Sequence, residues 1–409
     1  MVMLTQLKIL EGKPIFHALC RSKIGAILLL IQIAITTAIV SNAAFIIQDK
    51  ISYLNQATGY PETEIFKFNV MMFDKNTNIN QQFELDETML REIPEVIDAA
   101  MSSSIPLSGG GSASDFTLEP PGKDALSIRT AYFYVDEHGL NTYGVKLIAG
   151  RNFTEDEVIV TDNFDSFAQV TIVTQALLQE LFPAGDGLGK SIYFGDKTLK
   201  IIGVVEKMKG PWLKDSKPDN MALIPFIKAQ PLAQFLVRTK PEQRDALMKR
   251  IEDIMLKANN KRVINDITGL DKKKADYVAQ DKLMMRMLII LITILVLVTA
   301  LGIFGLTLFN ISKRTKQIGT RRALGARKSA IINYFLMENA MICSIGLLIG
   351  VIAAVLLGQV LMEYFSIAEL EISYVMVTAI AVFIMSLLSV LIPAQRAANI
   401  SPSIATRTI

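Results

Sequence analysis

MLIILITILVLVTALGIFGLTLFNIS, residues 287–312, contains no charged side chain and lies between Arg286 and Lys313. As a helix rising about 1.5 Å per residue, a run of this length exceeds the roughly 30 Å hydrocarbon core of a bilayer. Three further runs share the property: Ile24 to Gln48 between Lys23 and Asp49, Ala340 to Met362 between Asn339 and Glu363, and Ile372 to Gln395 between Glu371 and Arg396. The composition agrees. Of 409 residues, 51% are hydrophobic and only 20% charged, against about 25% charged in an ordinary soluble protein. Four transmembrane helices are expected. The first run is longer than the roughly 7–15-residue core of a cleaved signal peptide, so it reads as a retained helix.

Orientation follows from the lysines and arginines at the helix ends, which accumulate on the cytoplasmic side. Lys8, Lys13, Arg21 and Lys23 precede the first run. Lys313, Arg314, Lys316, Arg321, Arg322, Arg327 and Lys328 follow the second, with no acid among them, and Arg396 and Arg407 follow the fourth. The connection between the third and fourth runs has Glu363, Glu369 and Glu371 and no base. The expected organisation is therefore a cytoplasmic segment 1–23, helix one 24–48, an extracytoplasmic domain 49–283, helix two 284–312, a cytoplasmic loop 313–333, helix three 334–362, a short external loop 363–371, helix four 372–395, and a cytoplasmic tail 396–409. The formal charge of +3 divides into +8 outside residues 49–286 and −5 within them. The basic excess is thus a topology signal and does not argue for a nucleic-acid partner.

The chain has two cysteines, Cys20 and Cys343, both outside the large inserted domain, so that domain must rely on its own core rather than disulfides. ETEIFKFNVMMF (62–73) alternates as a half-buried strand does. The segment after it reads as a helix with Asp86 as N-cap and Met89, Leu90 and Ile93 on one face. SGGGSASDFTLEPPGKD (108–124) reads as a flexible loop or joint. IRTAYFYV, QVTIVT, SIYFG, LKIIGVVE and QFLVRT follow as strands, and a helix is expected over about 242–258 with Leu247, Ile251, Ile254 and Met255 on one face. From Asp271 a charged stretch free of Pro and Gly runs into helix two, as a continuous helical stalk would.

PAGDGLGKS (183–191) is one residue short of the phosphate-loop pattern G-x-x-x-x-G-K-[ST], with Ala184 in place of the first glycine. A phosphate loop needs a strand before it and a helix after it, so that free backbone N–H groups face the anion. Here the preceding LLQELFP reads as a helix and the following SIYFG as a strand, on the side of the membrane that lacks ATP. Gly185, Gly187 and Gly189 read as turn glycines. The two histidines, His17 and His138, fall in different compartments, and no metal-ligand spacing or nucleophile elbow organises the external acids and serines. Neither a catalytic residue nor a metal or cofactor site is expected in this chain.

NISKRTKQIGTRRALGARKSAIINYFLMENA (310–340) holds more pattern than charge placement requires. Ile318, Ala323 and Leu324 interrupt the bases, and Gly319 and Gly325 are expected to break the helix at two points. The bases alone could serve topology or anionic lipid; a short amphipathic helix between hinges is suited to docking on a protein. Glu338, the lone charge near the start of helix three, reads as an interfacial helix-end acid.

At these residues the sequence resembles the cytoplasmic loop of FtsX-type and MacB-like ABC transporter permeases. LIPAQRAANISPSIATR (391–407) is similar to that family's closing pattern, and YGVKLIAGRNF (143–153), LFPAGDGLGKSI (181–192) and IIGVVEKMKG (201–210) to three motifs of its periplasmic core domain. The resemblance covers nearly the whole chain. It implies an α-helical membrane protein of the bacterial inner membrane with four transmembrane helices, a large α/β extracytoplasmic domain between helices one and two, and both termini cytoplasmic. It implies a non-catalytic permease subunit coupled to an ATPase expected on a separate polypeptide, which would use ATP and Mg. Lys316, Gln317, Ile318, Gly319, Arg321, Arg322, Ala323, Leu324, Gly325 and Arg327 are the implied coupling residues. The other implied partners are a second permease chain, membrane lipid, and a periplasmic membrane-fusion adaptor with an outer-membrane channel. The family usually has an acid where Gln317 stands and an apolar residue where Thr320 stands, which leaves homodimer and heterodimer both open. The implied activity is export of a peptide, antibiotic or lipid-linked substrate by motion of the external domain. The alternative is a non-transporting regulator of an external partner such as a cell-wall hydrolase.

Overall fold

The computed structural model describes residues 23–74, 77–120, 122, 127–161, 166–365 and 370–401, excluding the side chains of residues 23, 24, 364 and 365. Most of the N-terminal segment and of the tail, with His17, Cys20 and Arg407, therefore lies outside the described residues. The chain divides into two compact units, residues 53–280 and residues 1–52 with 281–409.

Helix α1 (Lys23–Leu54) leads into the inserted α/β domain. Strand β1 (Ile65–Met72), helix α2 (Ile79–Arg91) and β2 (Val96–Met101) come first. A second group follows: β3 (Ser112–Thr117), β4 (Ser127–Val135), α3 (Gly139–Tyr143), β5 (Leu147–Gly150), β6 (Ile159–Thr161), β7 (Val170–Thr174), α4 (Gln175–Leu181), β8 (Ser191–Phe194), β9 (Lys197–Val205) and β10 (Met221–Lys228). The chain then returns to the first group with β11 (Leu232–Thr239), α5 (Arg244–Met248), α6 (Ile251–Ala258) and β12 (Arg262–Gly269), followed by α7 (Leu270–Tyr277). One substructure is thus nested inside the other.

The outer substructure is a four-stranded antiparallel sheet in the order β12-β1-β11-β2. Alternation in β1 sends Phe66, Phe68 and Val70 to one face, where they meet Phe83 and Leu90 of α2 and Leu247, Ile251 and Met255 of α5 and α6. The inner sheet runs β4-β3-β8-β9-β7-β10, and β10 also pairs in parallel with β4, so the ladder closes on itself. Phe116, Ile192, Leu199, Ile224 and Phe226 fill one of its cores together with Leu177 and Leu181 of α4.

Four local expectations need correction. Asp86 is not an N-cap: Asn78 caps α2, accepting from the Gln81 N–H, and Asp86 lies buried inside the helix against Arg262. The Gly/Ser-rich stretch 108–124, expected as a flexible loop or joint, contains β3, because pairing with β4 and β8 overrides its composition. The helix expected over 242–258 is two helices separated at Lys249–Arg250, which still bury Leu247, Ile251 and Met255. The continuous stalk is divided at Val278.

The second unit contains α1 and three more helices long and apolar enough to span a membrane: α8 (Ala279–Lys313), α10 (Lys328–Phe365) and α11 (Ile372–Ala398), with the short α9 (Thr315–Ala323) between α8 and α10. Lipid supplies little hydrophobic drive for helices to associate, so small residues and interhelical hydrogen bonds carry the packing. Gly346 and Gly350 let α10 approach Ile33, Ala34 and Thr37 of α1. Thr36 and Thr299 hydroxyls bond at 2.8 Å, Asn42 donates to the Ala354 carbonyl at 3.0 Å, and Asn339 donates to Ser386 at 2.6 Å. Helix α1 is the most enclosed of the four and α8 the least.

Candidate functional site

Lys, Gln, Arg and Ala favour helix, and they build α9 immediately after Arg314, whose backbone (φ −106°, ψ 12°) leaves helical geometry. The helix ends in a Schellman turn. Ala326 N–H bonds the Arg321 carbonyl, Gly325 N–H bonds that of Arg322, and Gly325 adopts φ +93°, where glycine escapes the Cβ penalty. Gly325 therefore ends the helix as expected, whereas Gly319 does not break it. Gly319 lies inside α9 and is buried, and the helix formers around it outweigh its roughly 1 kcal/mol propensity cost. The break falls at Arg314 instead.

Ile318 anchors the inner face, packing with Ile311, Ile331, Phe335, Ala394 and Ala397. Lys316, Gln317, Arg321, Ala323, Leu324, Gly325 and Arg327 are exposed, Arg322 is half-buried, and Ile318 and Gly319 face inward. The ten residues singled out in the sequence thus share one short segment but divide into an outer surface and an inner anchor. Leu324 is 84% exposed, more than any other large apolar side chain described.

Several interactions brace this segment. Arg314 Nη1 donates to both Glu338 carboxylate oxygens, at 3.1 and 3.0 Å, and to the Tyr334 hydroxyl at 3.2 Å. The Arg321 guanidinium lies 5.2 Å above the Tyr334 ring, close enough for a cation–π contact. Arg322 donates to the Ala326 carbonyl across the turn, and Lys328 Nζ bonds Asn399 Oδ1 at 2.7 Å. Glu338 is only 5% exposed. It is a buried, paired carboxylate, and the helix-end reading of it is superseded. Sequence reasoning missed Arg314, Tyr334 and Lys328, which brace the segment from behind. The isolated acid at Glu338 was the available signal, but nothing local pointed to a partner 24 residues earlier. The exposed bases around one apolar knob can dock an acidic surface with an apolar pocket; the segment has no grouping suited to covalent chemistry.

In the inserted domain, PAGDGLGKS joins α4 to β8, the reverse of the flanks a phosphate loop needs. Gly185 and Gly189 have φ of +81° and +82°, while Gly187 packs under Phe182 and Leu178. Lys190 is paired with Asp186 at 2.5 Å. A second polar cluster lines a cavity of about 520 Å³ between α2 and the inner substructure, with Glu84, Glu87, Arg91, Asp136, Glu137 and Asp156 among its walls. Glu87 accepts from the Met101 N–H at 2.7 Å and shares a hydrogen bond with Asp136. Burial, opposed by the Met101 N–H and Arg91, pushes its carboxyl up to about 7. Burial and the Glu87 charge push Asp136 well above the usual carboxylate range. Beside them His138, 3.0 Å from Asp98, is raised by that hydrogen bond. Among the described residues, no group of three or more His, Cys, Asp or Glu side chains is arranged to hold a metal ion.

Residues 24–254 match the MacB-like periplasmic core domain, and residues 289–402 match the FtsX-like permease C-terminal domain. Among curated proteins, the macrolide export ATP-binding/permease protein MacB of Neisseria meningitidis serogroup A is 29% identical over 229 residues, 54% of this chain and 34% of the relative. MacB 1 of Aeromonas hydrophila is 28% identical over 278 residues, 66% of this chain and 42% of the relative. The chain thus spans well under half the length of these relatives. Among solved structures, the periplasmic region of MacB from Actinobacillus actinomycetemcomitans aligns over 51% of this chain and 91% of that chain, with 15% identity and a TM-score of 0.34.

Proposed function

This chain belongs to the family of MacB-like permeases with an FtsX-like C-terminal domain, and on that premise we propose that it is the permease subunit of an ABC transporter. An ATPase subunit on another polypeptide docks on α9, and its ATP-driven closure moves the membrane helices and, through them, the inserted domain. Export or extrusion of a peptide, antibiotic or lipid-linked compound is the work done. Macrolide export, named for the relatives, is one instance of that class.

One observation carries the reading. Leu324, 84% exposed, caps a helix whose inner side is anchored, with the exposed bases Lys316, Arg321 and Arg327 in the same segment. Lipid headgroups would account for the bases but not for an apolar knob on a braced turn, whereas a protein pocket accounts for both. The lysine and arginine distribution supports a cytoplasmic position for this segment and both termini, and membership of the family supports a multi-pass location in a bacterial inner membrane. A second permease chain, lipid, and an adaptor with an outer-membrane channel complete the assembly. The little-enclosed apolar helix α8 faces lipid or that second chain.

Replacing Arg321, Arg322 and Leu324 together by Ala should abolish co-purification with the cognate ATPase, or weaken binding at least tenfold, and remove permease-dependent stimulation of ATP hydrolysis. Wild-type binding and stimulation in the triple variant would refute the docking assignment.

A further inference from the structure

Helix α9 has a joint at each end. At its start Arg314 leaves helical geometry, and at its finish Gly325 turns through the left-handed region. A helix of nine residues between two joints would swivel under load unless something ties it to its neighbours. Among the described residues, the apolar inner face of Ile318 and Gly319 is supplemented by one polar tie to α10, the Arg314–Glu338 pair, to which Tyr334 adds a hydrogen bond to Arg314 and a ring face beneath Arg321. Glu338 is the sole charged residue of α10 between Lys328 and Glu363. A carboxylate buried at such a place is costly without a partner. Its partner comes from the joint itself, not from a neighbouring turn of α10.

We propose that Arg314 and Glu338 form a mechanical latch that makes α9 and α10 move together, so that displacement of the docked segment is delivered to α10 instead of being absorbed by the joint at residue 314. The inference rests on the docking reading given above. Arg314 and Glu338 are positioning residues: they present α9 and transmit its motion but do not contact the ATPase.

The test uses the full-length chain with its ATPase in lipid nanodiscs. It compares wild type, Glu338→Gln, and the double variant Arg314→Gln/Glu338→Gln, which leaves no unpaired charge and so keeps the fold. Two quantities are read separately: the apparent affinity for the ATPase, and the maximal permease-dependent stimulation at saturating ATPase. The latch predicts affinity within about threefold of wild type in both variants and at least a fivefold drop in maximal stimulation. The drop should persist in the double variant even where its thermal stability returns to the wild-type value. A purely structural pair predicts that the double variant regains stability and stimulation together, and that result would overturn the proposal. Loss of ATPase affinity in the double variant would also overturn it, by making the pair part of the docking surface. Failure of the docking reading is separately visible, as unchanged binding in the Arg321/Arg322/Leu324 variant.

Discussion

Asp86 and Arg262 form an ion pair with both side chains almost wholly buried, joining the middle of α2 to the start of β12. Arg262 also donates to the Met255 carbonyl at 2.5 Å, and Asp86 accepts from Gln82 at 3.0 Å, so the charges are well supplied with partners. Removing one of them strands the other. Asp86→Ala should cost about 3–5 kcal/mol, while Asp86→Leu with Arg262→Met should cost far less; thermal unfolding of the purified chain measures both. The Glu87–Asp136 pair predicts a pH effect of opposite origin. A carboxyl pushed up to about 7 is held more tightly as the acid in the folded domain than in the unfolded chain. Its contribution is therefore complete below about pH 4.5 and is lost as pH rises through 7, amounting to at most about 3 kcal/mol. His138, also raised, has the same sign. Between pH 5 and pH 8 the wild-type chain should lose stability that Glu87→Gln retains; parallel melting curves for the two proteins would refute the assignment. Neither pair was legible beforehand, since each joins residues from distant parts of the chain.

Among elements, what could be read from sequence was what depends on neighbours along the chain. The four membrane helices follow from uninterrupted apolar runs, and β1 from alternation. What depends on partners across the fold was misread. Strand β3 exists because β4 and β8 flank it, and Asn78 caps α2 while Asp86 lies inside the helix, paired with Arg262 from the start of β12. The segment from Arg314 to Lys328 shows the same division. Its bases and Leu324 could be read directly, but the pairing of Arg314 with Glu338 and the inward packing of Ile318 involve α10 and α11. At the end of α9, Gly325 is the residue on which the turn depends. A β-branched side chain at φ +93° costs on the order of 1–3 kcal/mol and should open the Schellman turn. Gly325→Val should speed tryptic cleavage around Arg321, Arg322, Arg327 and Lys328 severalfold, whereas Gly325→Asn, which tolerates the left-handed region, should leave it nearly unchanged.

For the whole molecule, the charge distribution decides orientation. The inserted domain is net acidic, and the rest of the chain has a basic excess concentrated at the ends of the apolar helices. A short basic loop is costly to carry across a membrane against the potential and the insertion machinery's bias, while a domain of over two hundred residues crosses largely without regard to its charge. The segment around Leu324 should therefore stay inside and the turn around Asp186 should lie outside. Both residues are exposed, so labelling reports the compartment and not burial. In a chain with Cys20 and Cys343 replaced by Ser and Ala, Asp186→Cys should react with a membrane-impermeant maleimide supplied on the extracytoplasmic side. Leu324→Cys should react only after the inner membrane is opened. The reverse pattern would place PAGDGLGKS with the nucleotide pool and α9 away from any ATPase, and would overturn the coupling mechanism along with the topology.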